Sequence, residues 1–228
     1  MALEVKHFVG LDLGQVSDPS ALVSLRRERE VPDVLRPRAV DVYDLQVHIR
    51  SKEQVSPAKY YCNIAERFER GTPYPTLVEN VGKLYSDPKF AGQTLVVDGT
   101  GVGRPVVDLF RRARLNCQLV PVTITGGGMS QAIGAVNIDQ WGYWHVPKKE
   151  LVGAVQVLLG TNRLQISPRI LNVGNLVHEL KNFNYKISNT TGHVSLEAWR
   201  ERDHDDLVLA LAMAAWVGER GTTQLWLK

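Results

Sequence analysis

Three apolar runs in this chain each meet an acidic residue at one end. Asp12 closes the run Phe8-Val9-Gly10-Leu11, Asp98 closes Leu95-Val96-Val97, and the pair Asp205 and Asp206 opens the apolar stretch 207–217. Short apolar runs of this kind read as buried strands, and the long one as a helix. A carboxylate at the tip of a buried element is rarely there for packing, because a charge at the core boundary must be paired or coordinated. The fold must therefore bring two strand ends and one helix start to a common place. Three such carboxylates read most simply as a divalent-metal site, and that points to metal-dependent phosphodiester chemistry.

The bulk numbers are compatible with this. With 228 residues, 44% hydrophobic and 22% charged, the chain is expected to form one globular domain over residues 1–228, with ample core. A net charge of +3 and a pI near 8.9 permit a nucleic-acid partner without demanding one. Cys62 and Cys117 lie far apart and match no metal-ligand spacing, so free buried thiols in a reducing compartment are expected. Residues 1–7 hold no signal-peptide core, and the apolar stretch 207–216 is too short to span a bilayer. A soluble, cytoplasmic protein with no membrane partner is the expectation.

Strand signals fall at 8–13, 21–25 and 39–45, with the charged segment 26–37 read as a solvated hairpin loop. Ser56-Pro57 looks like a helix cap followed by proline at the first helical position, predicting a helix toward Arg70. A further helix is predicted over 74–87. Then come a strand at 94–98, a tight glycine loop at 99–103, a helix over 105–114, a strand over 117–123 and a glycine loop at 126–128. Leu151, Val155, Leu158 and Leu159 follow helical spacing, as do Leu171, Leu176 and Leu180 more loosely. A hairpin over 185–196, a strand over 194–199 and a closing helix over 205–219 complete the reading. This order is that of a ribonuclease-H-like α/β domain, a central mixed sheet flanked by helices. There the first and fourth strands lie side by side, and the closing helix brings its start to the same spot. Acidic residues also suit a helix start on their own, through the helix dipole.

Several blocks carry a resemblance. They are Val9-Gly10-Leu11-Asp12-Leu13-Gly14 with Asp18-Pro19-Ser20-Ala21, then Val97-Asp98-Gly99-Thr100-Gly101-Val102-Gly103, then Ile124-Thr125-Gly126-Gly127. His145-Val146-Pro147-Lys148-Lys149 and His204-Asp205-Asp206-Leu207-Val208-Leu209-Ala210 follow. In this order, across nearly the whole chain, they resemble the nuclease domain of the large terminase subunit of tailed bacteriophages, the enzyme that cuts DNA during genome packaging. The resemblance implies an endonuclease acting on double-stranded DNA by two-metal-ion hydrolysis, with Mg²⁺ or Mn²⁺ as cofactor. It implies that Asp12 and Asp98 are metal ligands, with Asp206, or alternatively Asp205, as the third, and Asp18 as an auxiliary acidic position. Asp12 would then bridge two ions about 4 Å apart, with Asp98 and Asp206 each favouring one. It also implies a packaging ATPase, a portal or a small terminase subunit as partners, in the host cytoplasm.

Arg104, Lys148, Lys149, Arg200, Arg202 and His193 are candidates for DNA contact, each with an ordinary surface role as its alternative. His204 is a candidate neighbour of the metal ligands. Trp141, Tyr143, Trp144 and Trp199 read as packing residues rather than base-stacking platforms. No base-reading motif is visible, so sequence-tolerant backbone contact is expected. The loop 99–103 lacks the Gly-Lys-Ser/Thr ending of a nucleotide-binding P-loop, and the chain is expected to lack a motor domain. Two other readings stay open: a different ribonuclease-H-like nuclease, such as a Holliday-junction resolvase, and an actin-like ATP-binding fold suggested by Leu11-Asp12-Leu13-Gly14.

Overall fold

Successive side chains of a strand point to opposite faces of its sheet, and in the first strand, β1 (Ala2–Asp12), that alternation divides the molecule. Phe8 joins one apolar core, while Val9 and Leu11 join another. The computed structural model describes residues 2–14, 18–31, 56–101, 103–125, 136–188 and 205–220. After β1 come β2 (Ala21–Val31), β3 (Lys59–Arg67), α1 (Tyr74–Tyr85), β4 (Thr94–Asp98), α2 (Gly103–Ala113) and β5 (Gln118–Thr125). Then follow β6 (Asn137–Ile138), β7 (Trp144–Pro147), α3 (Lys148–Gly160), β8 (Leu164–Ile166), α4 (Val173–Ser188) and α5 (Asp206–Arg220).

The strands form one mixed sheet in the order β6-β7-β5-β4-β1-β2-β3-β8. β2 runs antiparallel to β1 and β3, whereas β1, β4, β5 and β7 are mutually parallel. With β1 central, β2 and β3 on one side, β4 and β5 on the other, and helices on both faces, this is the ribonuclease-H-like arrangement the sequence predicts. On one face Phe8, Val96 and Val122 meet apolar residues of α3, α4 and α5. On the other, Val9, Leu11, Leu95 and Val97 meet α1 and α2.

Helix α5 is apolar on every side, and its residues 207, 208 and 210–218 are buried. That is the pattern of a helix surrounded by protein. Leu207, Leu211, Met213 and Trp216 are all essentially inaccessible, and each contributes about 1.5–3 kcal/mol by burial. Together they outweigh the several kcal/mol that burying a carboxylate at the start of the helix costs. At the far end, the buried Arg27 donates from Nη1 to the Gly218 carbonyl at 2.8 Å, stacks over Phe8 and pairs with Glu4.

Three expectations need correction. The helix predicted from Ser56-Pro57 toward Arg70 is a strand, β3, in which Tyr60, Cys62 and Ala65 are buried. The pairing with β2 shifts between Ser24 and Leu25, where Ile64 and Cys62 face consecutive residues of β2. This bulge leaves Asn63 as the extra residue and turns an alternating pattern into a spacing that imitates a helix. The loop predicted from residue 26 is, up to Val31, a continuation of β2, held by Arg26–Glu28 and Arg27–Glu4 ion pairs. The hairpin predicted from residue 185 begins inside α4. The strands predicted at 39–45 and 194–199 and the glycine loop 126–128 lie outside the described residues. Cys62 and Cys117 are free thiols, Cys62 buried as expected and Cys117 only half-buried, raised by burial to about 12 and about 11. Among the described residues no helix is long and apolar enough to cross a membrane.

Candidate active site

By its alternation Asp12 shares a face of the sheet with Phe8 and Gly10, and Asp98 shares one with Val96, the face that α5 covers. Parallel pairing sets Leu11 opposite Val97, so the two aspartates end adjacent strands at the same level. The third element is brought in by a close approach. A Cβ added at Gly10 would lie 1.9 Å from the carbonyl oxygen of Ala210, which is possible only because glycine has no side chain. Asp206 lies one helical turn before Ala210, and its carboxylate arrives on the same side as Asp12.

Asp205 stands at the cap of α5, where its carbonyl accepts the Leu209 N–H at 2.9 Å, and Asp206 is the first helical residue. Both positions suit the positive end of the helix dipole. The dipole does not account for the rest of the cluster. Burial above all, then the Asp98, Asp206 and Asp205 carboxylates and a hydrogen bond with Asp98, hold the Asp12 carboxyl well above its usual range. Four carboxyl groups from three elements thus share one electrostatic environment.

Residues that sequence reasoning passed over fix this arrangement. Thr100 donates to Asp98 Oδ1 from both its backbone N–H, at 2.8 Å, and its hydroxyl, and its Oγ1 accepts the Ile124 N–H at 2.9 Å. Gly99 leaves room beside it for the Tyr143 ring, which a Cβ would meet at 2.7 Å. Arg67, the last residue of β3, pairs with Glu179 of α4 and lies 3.7 Å from Asp206. Burial lifts the Glu179 carboxyl to about 7, helped by Asp206 and Asp205, while the Val208 N–H and Arg67 pull the other way. Thr100 was legible in principle, since a hydroxyl two residues past an aspartate in a Gly-containing turn is placed to bond it. Arg67 and Glu179 carry no local signal, being 112 residues apart.

The other candidates fall into two groups. Lys148, the first residue of α3, lies 3.7 Å from Asp205 and belongs to the cluster. Lys149 is exposed beside it, and Asp18 is exposed on the loop after β1. Arg104 lies over the Tyr143 ring at 5.1 Å and 3.6 Å from Asp139, so it is braced against the β6–β7 turn. Trp144 and Tyr143 are buried, as expected of packing residues, whereas Trp141 is 64% exposed at that turn. His193, Arg200, Arg202, His204 and Trp199 lie outside the described residues. A cleft of about 320 Å³ lined by Leu22, Ile64, Phe68, Val81 and Leu84 opens on the opposite face of the sheet and involves none of these groups.

The donor chemistry suits a hard divalent cation, which prefers oxygen. Asp12, Asp98, Asp205 and Asp206 are four carboxyl groups, with Glu179 beside them, set against two cations, Arg67 and Lys148. Among the described residues no three such side chains are gathered as a finished ligand set. Asp205 lies 3.7 Å from Lys148, and Asp206 lies 3.7 Å from Arg67.

No protein-family model matches the chain, and no curated protein matches it. Among solved structures it is similar to the large terminase nuclease from the thermophilic phage G20c, at 16% identity and a TM-score of 0.49, over 92% of this chain and 81% of that one. A form of that nuclease with bound zinc gives 16% identity and a TM-score of 0.48, over 92% and 80% of the two chains. The large terminase nuclease domain from bacteriophage SPP1 with bound manganese gives 12% and 0.42, over 94% and 86%.

Proposed function

We propose that this chain is a metal-dependent endonuclease of the phage-terminase type, a single ribonuclease-H-like domain that cuts double-stranded DNA during genome packaging. The observation that carries this reading is the convergence of Asp12, Asp98 and the Asp205–Asp206 pair at the ends of β1 and β4 and the start of α5, where burial first and the neighbouring carboxylates second hold the Asp12 carboxyl well above its usual range. The ordered sequence blocks that surround these same residues supply the terminase context.

Asp12, Asp98 and Asp206, with Asp205 as the alternative third ligand, would hold Mg²⁺ or Mn²⁺, two ions in the two-metal form of the reaction. Bound there, such ions supply an activated water and stabilise charge on the scissile phosphate. The chain's own groups do the positioning. Thr100 fixes the Asp98 carboxylate through two donated bonds. Lys148, 3.7 Å from Asp205, would offset its charge and is a candidate for contact with the DNA backbone. Lys149, and Arg200, Arg202 and His193 beyond the described residues, are the candidates for backbone contact with DNA, with Arg104 in a lesser role because Tyr143 and Asp139 already engage it. Asp18 would serve as an auxiliary acid. A packaging ATPase, a portal or a small terminase subunit would be the partners, in the host cytoplasm.

The test is incubation of supercoiled plasmid with the protein in Mg²⁺, Mn²⁺ or EDTA, with Asp98→Ala alongside. Nicked and linear products that need the metal, and fall by about a thousandfold in the variant, are expected, since metal-ion catalysis supplies several kcal/mol and each 1.4 kcal/mol is a decade of rate. A folded Asp98→Ala protein that cuts as fast as wild type would remove the site. Cleavage of a four-way junction in preference to linear duplex would move the chain to the resolvase class instead.

A further inference from the structure

Glu179 and Arg67 stand beside the acidic cluster without belonging to it. The Glu179 side chain is 4% exposed and that of Arg67 is 21% exposed. Arg67 Nη2 donates to Glu179 Oε1, and the same nitrogen lies 3.7 Å from Asp206 Oδ2, beyond hydrogen-bond reach. The other Glu179 oxygen accepts the Val208 N–H at 3.0 Å, in the first turn of α5. Each oxygen of Glu179 thus accepts one hydrogen bond, from Arg67 and from the Val208 N–H. What it decides is where one guanidinium goes. Arginine keeps its proton under all ordinary conditions, and a half-buried guanidinium left without its carboxylate turns to the next one in reach. Deprived of Glu179, Arg67 has Asp206 as the next carboxylate in reach.

Resting on the nuclease reading above, we infer that Glu179 is a positioning residue of the metal site. It keeps the long Arg67–Asp206 ion pair from tightening into a hydrogen-bonded one, and it seats the first turn of α5, so that Asp206 meets a divalent cation rather than a guanidinium.

The discriminating variant is Glu179→Gln, which keeps shape and an acceptor for Val208 but surrenders the charge that holds Arg67. Mn²⁺ affinity, measured by calorimetric titration without DNA, is expected to fall about ten- to a hundredfold, the range seen when a group that orients a metal ligand is lost. The Mn²⁺ concentration for half-maximal plasmid cutting rises in parallel, while the rate at saturating Mn²⁺ is largely kept. The double variant Glu179→Gln/Arg67→Met removes the released cation and recovers most of the lost affinity. A purely structural role gives the opposite, because a second cut into a buried network weakens the site further. Arg67→Met alone, which needs no folded Glu179→Gln protein, is expected to bind Mn²⁺ at least as tightly as wild type. Wild-type affinity in Glu179→Gln, a double variant weaker than the single, or weakened binding in Arg67→Met would each overturn the inference while leaving the metal site standing. Absence of Mn²⁺ binding by the wild-type chain would overturn both.

Discussion

Asp12→Asn is expected to abolish plasmid cutting and, at the same time, to raise the melting temperature of the metal-free protein. Loss of cutting follows if Asp12 is a metal ligand, and a drop of at least about a thousandfold corresponds to the several kcal/mol that metal-ion catalysis supplies. Gain of stability follows from the same geometry. Asp12 is buried, and Asp98, Asp206 and Asp205 all oppose its ionisation. An amide has the shape of the protonated acid, donates to Asp98 in its place and carries no charge. Relief of this kind is worth about 1 kcal/mol, or about 2–4 °C in a domain of this size. Differential scanning calorimetry in EDTA, set beside the plasmid assay, reads both effects. A variant that is inactive and also less stable would mean that Asp12 is a structural group.

The pH dependence carries the same sign. Asp12 and Glu179 have ordinary values of 3.8 and 4.5, and the fold raises both, Glu179 to about 7 and Asp12 well above its ordinary range. Above the ordinary values the folded chain holds protons that the unfolded chain has released. The stabilisation is complete below them and is lost as pH rises through the folded values. The metal-free wild type is therefore expected to melt at falling temperature as pH rises from about 4 through about 7, and Asp12→Asn to show a shallower fall. A divalent cation competes with these protons. Added Mn²⁺ should accordingly stabilise wild type more at the alkaline end of that window, and Asp12→Asn little at either end.

What was legible in the sequence is what local pattern determines. The strand predicted at 94–98 has the bounds of β4, and the closing helix starts one residue from where its acidic pair placed it, because an uninterrupted apolar run next to a carboxylate has few ways to fold. β3 was misread because the bulge at Asn63 disguises its alternation and Ser56-Pro57 mimics a helix start. The end of β2 was misread because its charges looked solvated, whereas Arg27 is buried by reaching Glu4 and the Gly218 carbonyl across the fold. The same limit applies at the site. Asp12, Asp98, Asp205 and Asp206 announce themselves at element ends, but Arg67 and Glu179 acquire meaning only when β3 and α4 come together, and the local pattern of β3 imitates a helix.

Gly10→Ala is expected to be the most damaging single-methyl change in the chain's central strand, and it tests whether the site is held by the packing of α5 on β1. The added carbon would lie 1.9 Å from the Ala210 carbonyl oxygen and 2.8 Å from its carbon, and both are helix backbone rather than the end of a yielding side chain. The helix or the strand must retreat by about an ångström, and overpacking of this severity costs about 3 kcal/mol, or about 6–12 °C in melting temperature. Retreat also carries Asp206 away from Asp12, and misplacement of that size costs about a hundredfold in rate. Gly153→Ala in α3 is the matched control, because its Cβ meets nothing within 4 Å. There alanine's better helix propensity should stabilise by about 1 kcal/mol or less with cutting unchanged. Should Gly10→Ala instead melt and cut like wild type, α5 does not approach β1 as described, and the convergence of Asp206 with Asp12 and Asp98 fails with it.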